Sequence, residues 1–312
     1  MEIGIVIYPA AHLPSVWGLT DLLKYASTFV TARQFSALRI SHWAAQDGHI
    51  VKTFDTQSES ENSIDIVVIP PSFEPPISKH DAQVYSIWLN QLHKNGATLC
   101  AICSGIFTLL ETGLLDGRTV TAHWLHRDAI TLNYPDVNLD NNKLIIDDHD
   151  IITLAGLMSW MDLALKIVEK AYDSATMRGF AKYLLIDPPL REQSFYHAFS
   201  PRFDHGDATI VKVQHWLQNN YATKIRLEAL AEQIAMEKRT LLRRFKKATG
   251  MTVIAYCQHL RIQRAQELLE TTSLSFEAIC WQVGYQDSSS FNKIFTKVIG
   301  LTSTEYRKRF KV

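Results

Sequence analysis

Leu227-Glu-Ala-Leu-Ala-Glu-Gln-Ile-Ala-Met-Glu-Lys-Arg-Thr-Leu-Leu-Arg-Arg-Phe245 and Phe276-Glu-Ala-Ile-Cys-Trp-Gln-Val-Gly-Tyr-Gln-Asp-Ser-Ser-Ser-Phe-Asn-Lys-Ile-Phe295 repeat one pattern. Each stretch begins with a short helix that has an apolar stripe. A tight break follows, then a second helix with a polar or basic face. This is the helix-turn-helix plan, whose second helix enters the major groove of DNA. One copy is weak grounds for a function. Two in tandem, joined by the amphipathic stretch Val253–Leu269, predict an all-α DNA-reading domain.

In the first copy, Leu227, Leu230, Ala231 and Ile234 form the core stripe and Ala235-Met236 the turn. The second helix starts near Glu237 or Lys238. Leu241 and Phe245 face inward, which leaves Arg239, Leu242, Arg243 and Lys246 outward. Arginine pairs bidentately with guanine O6 and N7, so Arg239 and Arg243 are the candidate base readers. Arg244, Lys246 and Lys247 suit phosphates. In the second copy Phe276, Ile279 and Val283 are core, Gly284 permits the turn, and Asp287 is a good N-cap. Ser288, Ser289, Ser290, Asn292 and Lys293 take the early exposed positions, while Phe291 and Phe295 bury. Serine discriminates bases less than arginine, so this copy is expected to give more backbone contact and less sequence information.

Around this pair the chain is an ordinary globular protein of 312 residues, 46% apolar and 21% charged, long enough for two domains. Its zero net charge hides a split. From Pro201 onward there are 18 Lys+Arg against 10 Asp+Glu, leaving 14 against 22 for the rest. A basic segment joined to an acidic one predicts that only the former meets a polyanion. No apolar run approaches the roughly 20 residues needed to span a bilayer, and the N-terminus lacks a signal-peptide pattern. Cys100, Cys103, Cys257 and Cys280 do not form a disulfide framework, so a reducing cytoplasm is expected. Cys100 and Cys103 have CxxC spacing, but one falls inside a strand and the other at its end. The twelve histidines form no pair at metal-ligand spacing, and no cofactor is implied.

The first half alternates strand and helix signals. Ile3–Tyr8, Ser36–His42, Ile64–Ile69 and Thr98–Ile102 read as strands, with helices at Thr20–Thr31 and Asp81–Asn95 between them. Such alternation predicts a parallel sheet covered on both faces. Leu144–Ile146 and Ile151–Leu154 read as a hairpin, Ser159–Tyr172 and Ala175–Leu185 as closing helices, and Asp187-Pro-Pro189 as their end. The expected organisation is a first domain over 1–187, a linker over 188–206, and a second domain over 207–312 that opens with the helix Ile210–Asn219.

Ile279-Cys-Trp-Gln-Val-Gly-Tyr285, with Phe291, Phe295, Gly300, Tyr306 and Arg307, resembles the C-terminal signature of the AraC/XylS transcription regulators over about the last hundred residues. Ser303 stands where that family usually has proline, and Cys280 where it usually has alanine. The resemblance implies two recognition helices reading successive major-groove segments about 34 Å apart on one DNA face.

Thr98-Leu-Cys-Ala-Ile-Cys103-Ser-Gly-Ile-Phe-Thr-Leu-Leu110 is a strand running into a sharp turn and then a helix, like a nucleophile elbow. A thiol there would be activated by the helix dipole and a nearby histidine. With Leu114-Leu-Asp-Gly-Arg-Thr-Val-Thr-Ala-His-Trp124, this resembles the PfpI-type, glutamine-amidotransferase-like domain. Joined to the paired motif, it resembles the GlxA-type subgroup of AraC regulators. That implies a flavodoxin-like sheet, Cys103 and His123 in the matching active-site positions, and an effector such as an amino acid or quaternary amine. Two departures argue against turnover. Pro70-Pro71-Ser72 replaces a Pro-Gly-Gly whose N–H groups hold an oxyanion, and proline has no N–H. Losing one such donor costs on the order of a hundredfold in rate. The acidic residue of the first helix corresponds to Ser15, with Asp21 the nearest carboxylate.

The reading is therefore a non-enzymatic, metabolite-responsive DNA-binding regulator, homodimeric through its first domain, with double-stranded DNA and RNA polymerase as partners and no membrane role. Ligands of open α/β sheets bind at the C-terminal strand ends. Pro9, Trp17, Ser72, Cys103, His123 and Trp124 are the ligand candidates, Trp17 and Trp124 offering aromatic faces to a cation. The alternative is a cysteine-dependent hydrolase or amidase tethered to DNA. A third reading is a constitutive DNA binder whose first domain only dimerises.

Overall fold

A computed structural model of the chain describes residues 1–30, 36–58, 64–73, 76–187, 192–196 and 199–311. These divide into a unit over Met1–Gln193 and another over Ser194–Val312. The first unit runs β1 (Glu2–Ile7), α1 (Leu13–Val30), β2 (Arg39–Gln46), β3 (His49–Asp55), β4 (Ile64–Ile69), α2 (Lys79–Lys94) and β5 (Thr98–Ile102). It continues through α3 (Ile106–Leu110), β6 (Thr119–Val120), α4 (Arg127–Asn133), β7 (Asn138–Leu139), β8 (Ile145–Asp148), β9 (Ile151–Leu154), α5 (Trp160–Ala171) and α6 (Ser174–Leu184).

The main sheet has the order β3-β2-β1-β4-β5-β9-β8. Strands β1, β2, β4, β5 and β9 are parallel, and β3 and β8 close the edges antiparallel. Counting the parallel strands alone, the order is the flavodoxin-like 2-1-3-4-5, with its switch point between β1 and β4. Both faces are apolar because successive side chains alternate. Ile66, Val68, Cys100 and Ile102 pack under α1, α5 and α6. Val67, Ile69, Leu99 and Ala101 pack under α2, α3 and α4. At the start of β2, Arg39 is buried with its guanidinium 2.9 Å from Glu2 and 2.6 Å from Asp55. Thr31, Pro188 and Pro189 of the expected helix ends lie outside the described residues.

The second unit is all-α: α7 (Ala208–Asn220), α8 (Leu227–Gln233), α9 (Lys238–Thr249), α10 (Val253–Thr271), α11 (Phe276–Gln282), α12 (Ser288–Ile299) and α13 (Ser303–Phe310). It has two cores. Val213, Leu230, Leu241, Phe245, Val253 and Tyr256 form one, and Leu269, Ile279, Val283, Phe291, Phe295 and Tyr306 the other.

The first part of the expected linker packs down on the first unit. Gln193 is 3% exposed and bolted into the first unit. Its Oε1 accepts the Trp124 N–H at 2.7 Å, and its Nε2 donates to the carbonyls of Ala122 and Asn141. Ser194 and Phe195 already pack on Gly300 of the second unit. A buried amide must satisfy its hydrogen bonds, and here it does so by holding the chain down.

Candidate functional site

In the first helix-turn-helix, the turn between α8 and α9 passes through Ala235 at φ +51°. Leu241 and Phe245 are fully buried, which rotates Arg239, Arg243, Lys246 and Lys247 into solvent. Arg239, Arg243 and Lys246 recur at helical spacing and form one basic stripe. Two expected contacts change role. Leu242 packs against the first core. The Arg244 guanidinium forks onto Asp207, with Nε donating to Oδ2 at 2.9 Å and Nη2 to Oδ1 at 2.6 Å. Asp207 also caps α7 by accepting the Ile210 N–H. Arg244 therefore ties α9 to α7 and is not free for a phosphate.

In the second, Asp287 caps α12 by accepting the N–H groups of Ser289 and Ser290. Ser289, Ser290 and Lys293 are exposed, but Ser288 and Asn292 are half-buried, because Asn292 follows the buried Phe291 around the helix. Lys297 is exposed one turn beyond Lys293 and extends the same stripe. The i, i+4 spacing carried that signal.

The ligand candidates of the first unit fall in separate places. Cys103 ends β5 at φ +53°, the strained backbone of an elbow. The fit is tight: a Cβ on Gly105 would lie 2.6 Å from the carbonyl oxygens of Ile69 and Pro70. Burial pushes the Cys103 thiol above its ordinary range, partly offset by backbone N–H groups of Ser104 and Gly156. Ser72 lies beside this elbow. Its N–H donates to Ser104 Oγ at 2.7 Å, and that hydroxyl donates back to the Ser72 carbonyl at 3.2 Å. Tyr8 donates to the Pro70 carbonyl, and the His12 N–H to that of Pro71. The place where an oxyanion would sit thus has a proline without a donor and a serine whose donor is taken.

Among the described residues no hydrogen bond joins Cys103 to His123. His123 Nδ1 accepts the Leu125 N–H at 3.2 Å, so the neutral ring carries its proton on Nε2 and offers a donor rather than a base. Burial lowers the His123 pKa, and lowers that of His126 to about 4, the neighbouring His123 adding to the effect. Ser15 is fully buried, 2.6 Å from His12 Nδ1, and Asp21 is exposed.

Trp17 turns away from the elbow. Its ring meets His42 and Phe54 edge-on, over β2 and β3. Trp124 lies along His123 at the other flank, where the Thr121 N–H donates to Thr153 of β9. Trp17 and Trp124 thus lie on opposite flanks of the sheet, since β9 stands four strands from β2, about 19 Å. Pro9 lines a different cleft of about 580 Å³, between the β2–β3 turn and α2. His12, Ser104 and the exposed Phe73, which meets His12 edge-on, are the strand-end residues that sequence reasoning passed over.

Paired helix-turn-helix motifs with outward basic and polar stripes, carried with an enzyme-like α/β unit in which Pro71 has no N–H and that of Ser72 is engaged, define a DNA-binding transcription regulator. Residues 230–309 match the helix-turn-helix domain family, and residues 42–170 the DJ-1/PfpI family. The chain is 26% identical to the transcriptional regulator ArgR of Pseudomonas aeruginosa, over 71% of this chain and 67% of that one. It is 28% identical to CdhR of the same organism, over 74% and 68%. It is 23% identical to GlxA of Rhizobium meliloti, over 85% and 82%. The chain joins a DJ-1/PfpI domain to an AraC-type helix-turn-helix domain, as do regulators that it resembles over most of its length. Among its described residues no helix is long and apolar enough to cross a membrane.

Proposed function

We propose that the first unit is a receptor for a small metabolite of the amino-acid or quaternary-amine class, and that it biases DNA binding without turning the ligand over. The observation that carries this reading is the closed elbow. Pro71 lacks an N–H, and the Ser72 N–H is held by Ser104. The strained backbone of Cys103 persists beside a Pro71 that cannot donate. The ligand surface is the rim of the β1–β4 switch point and the elbow: His12, Ser72, Phe73 and Cys103. Its effect on DNA requires different affinities for the ligand in two states of the regulator.

A thermal-shift screen of the full chain against amino acids and betaines tests the reading. A stabilisation abolished by Ser72→Leu is expected. No shift with any ligand class leaves the constitutive DNA binder. Covalent labelling of Cys103 by a substrate-like electrophile together with turnover would revive the hydrolase. The partners in this reading are double-stranded DNA, RNA polymerase and a second copy of the chain through the first unit. The exposed aromatic cluster Tyr25, Phe29 and Tyr183 on α1 and α6 supports that self-association.

A further inference from the structure

The two cores of the second unit share one long element. On α10, Val253, Tyr256 and Leu260 belong to the first core, and Ile262, Ala265, Leu268 and Leu269 to the second. Its 19 residues span about 28 Å. A single shared helix sets the distance between two motifs but does not resist their rocking or twisting about it. Contacts away from its axis must do that, and among the described residues a cluster of them centres on Arg261.

The loop between α7 and α8 belongs to the first half, and the turn between α11 and α12 to the second. They meet beside Arg261, in the middle of α10. Arg261 Nε donates to the Tyr221 carbonyl at 2.7 Å, and Nη2 to that of Thr223 at 2.8 Å. The same guanidinium lies over the Tyr285 ring, 4.9 Å from its centroid. Between those carbonyls, Ala222 presses on Gly284 so closely that a Cβ there would stand 2.0 Å from the Ala222 oxygen. Tyr221 packs partly against both cores.

We infer that Arg261 is a positioning residue that sets the rotation between the recognition helices α9 and α12, and with it the spacing of the two DNA segments they read. The inference rests on the DNA-reading function of this unit. Only a planar, forked cation can bond two carbonyls edge-on and lie face-on over a ring; a lysine ammonium cannot do both. The energetic consequence falls on simultaneous engagement, because linked readers gain affinity only when their geometry matches the two sites together.

The test uses the full chain and a site it selects from a random-sequence duplex pool. Affinity is measured on the intact site, on versions with base pairs inserted between the segments, and on a version with one segment scrambled. Arg261→Met is expected to lose about tenfold or more on the intact site. On the scrambled site it should change by less than about twofold, and its dependence on inserted base pairs should flatten. A variant with native circular dichroism and an unchanged spacing profile overturns the inference. If Arg261→Met fails to fold, Tyr285→Leu, which removes the ring beneath the guanidinium together with its packing on Phe291, is read the same way: a flattened profile supports the inference and an unchanged one overturns it. Failure of the wild-type chain to select any sequence refutes the DNA reading instead, and is seen before a variant is made.

Discussion

In the first helix-turn-helix the turn passes through Ala235 at φ +51°, and α9 starts at Glu237 with no side-chain cap. In the second, the turn passes through Gly284 at φ +85°, and Asp287 caps α12 with its carboxylate. Both recognition helices end on a left-handed glycine, Gly250 or Gly300. The two share a backbone plan and differ in what surrounds the turn. Ala235 is exposed, whereas Gly284 faces the Ala222 carbonyl. The first turn can bear a side chain at some strain, while the second is a contact point between halves. The reading faces differ in the same direction. Arginines line α9, and serines and lysines line α12. This difference supports our proposal that the first half specifies sequence and the second sets position.

Mirror substitutions at the two turns should break this comparison most sharply. Gly284→Ala combines a left-handed backbone with a collision against a carbonyl. It is expected to destabilise the second unit by about 2–5 kcal/mol in urea unfolding. An effect near zero would show that the halves do not press on one another. On the reading faces, Arg243→Ala should reduce discrimination at one base pair of the first segment by about 1–3 kcal/mol. Ser289→Ala should change discrimination by less than about 1 kcal/mol, both read by competition with mismatched duplexes. Equal losses would remove the asymmetry. Ala235→Gly relieves left-handed strain but loosens the unfolded chain, so a net gain of no more than about 1 kcal/mol is expected. Lys246→Ala should leave sequence preference unchanged while lowering the salt slope of binding by about 1.

The acidic first unit offers a further contrast, in its response to pH. The Asp55 carboxyl is held well below the ordinary carboxylate range, first by its hydrogen bonds from Arg39 and then by Lys52. A depressed folded pKa means that this stabilisation is complete above the unfolded carboxylate pKa. It is lost as pH falls through the folded value. Acid unfolding of the first unit should therefore flatten in Asp55→Asn, followed by tryptophan fluorescence as the pH is lowered from neutrality.

Elements with strong local patterns were legible. Strands β4 and β5 start and stop where their apolar runs do, and both helix pairs fall where the stripes and breaks put them. Strand β3 was not, because it is an edge strand, mostly half-buried, and lacks a clean alternation. The site was less legible than the fold because its decisive bonds join distant residues. Nothing local links Ser104 to Ser72, Arg244 to Asp207, or Gln193 to Ala122 and Trp124. Trp17 shows a second limit. Proximity in sequence to the end of β1 did not predict its direction, since each helical residue turns about 100° from the last. That rotation sends Trp17 to His42 while Ser15 stays beside His12.

The Ser72–Ser104 pair also bears on the history of this domain. Replacing Ser104 by alanine frees one N–H but leaves Pro71 without any. Replacing Pro71 restores an N–H beside a neighbour that is still engaged. Neither change alone restores both the Pro71 and the Ser72 donors. Under the proposed receptor role the closed elbow works as a ratchet, since two changes must coincide before both can donate again.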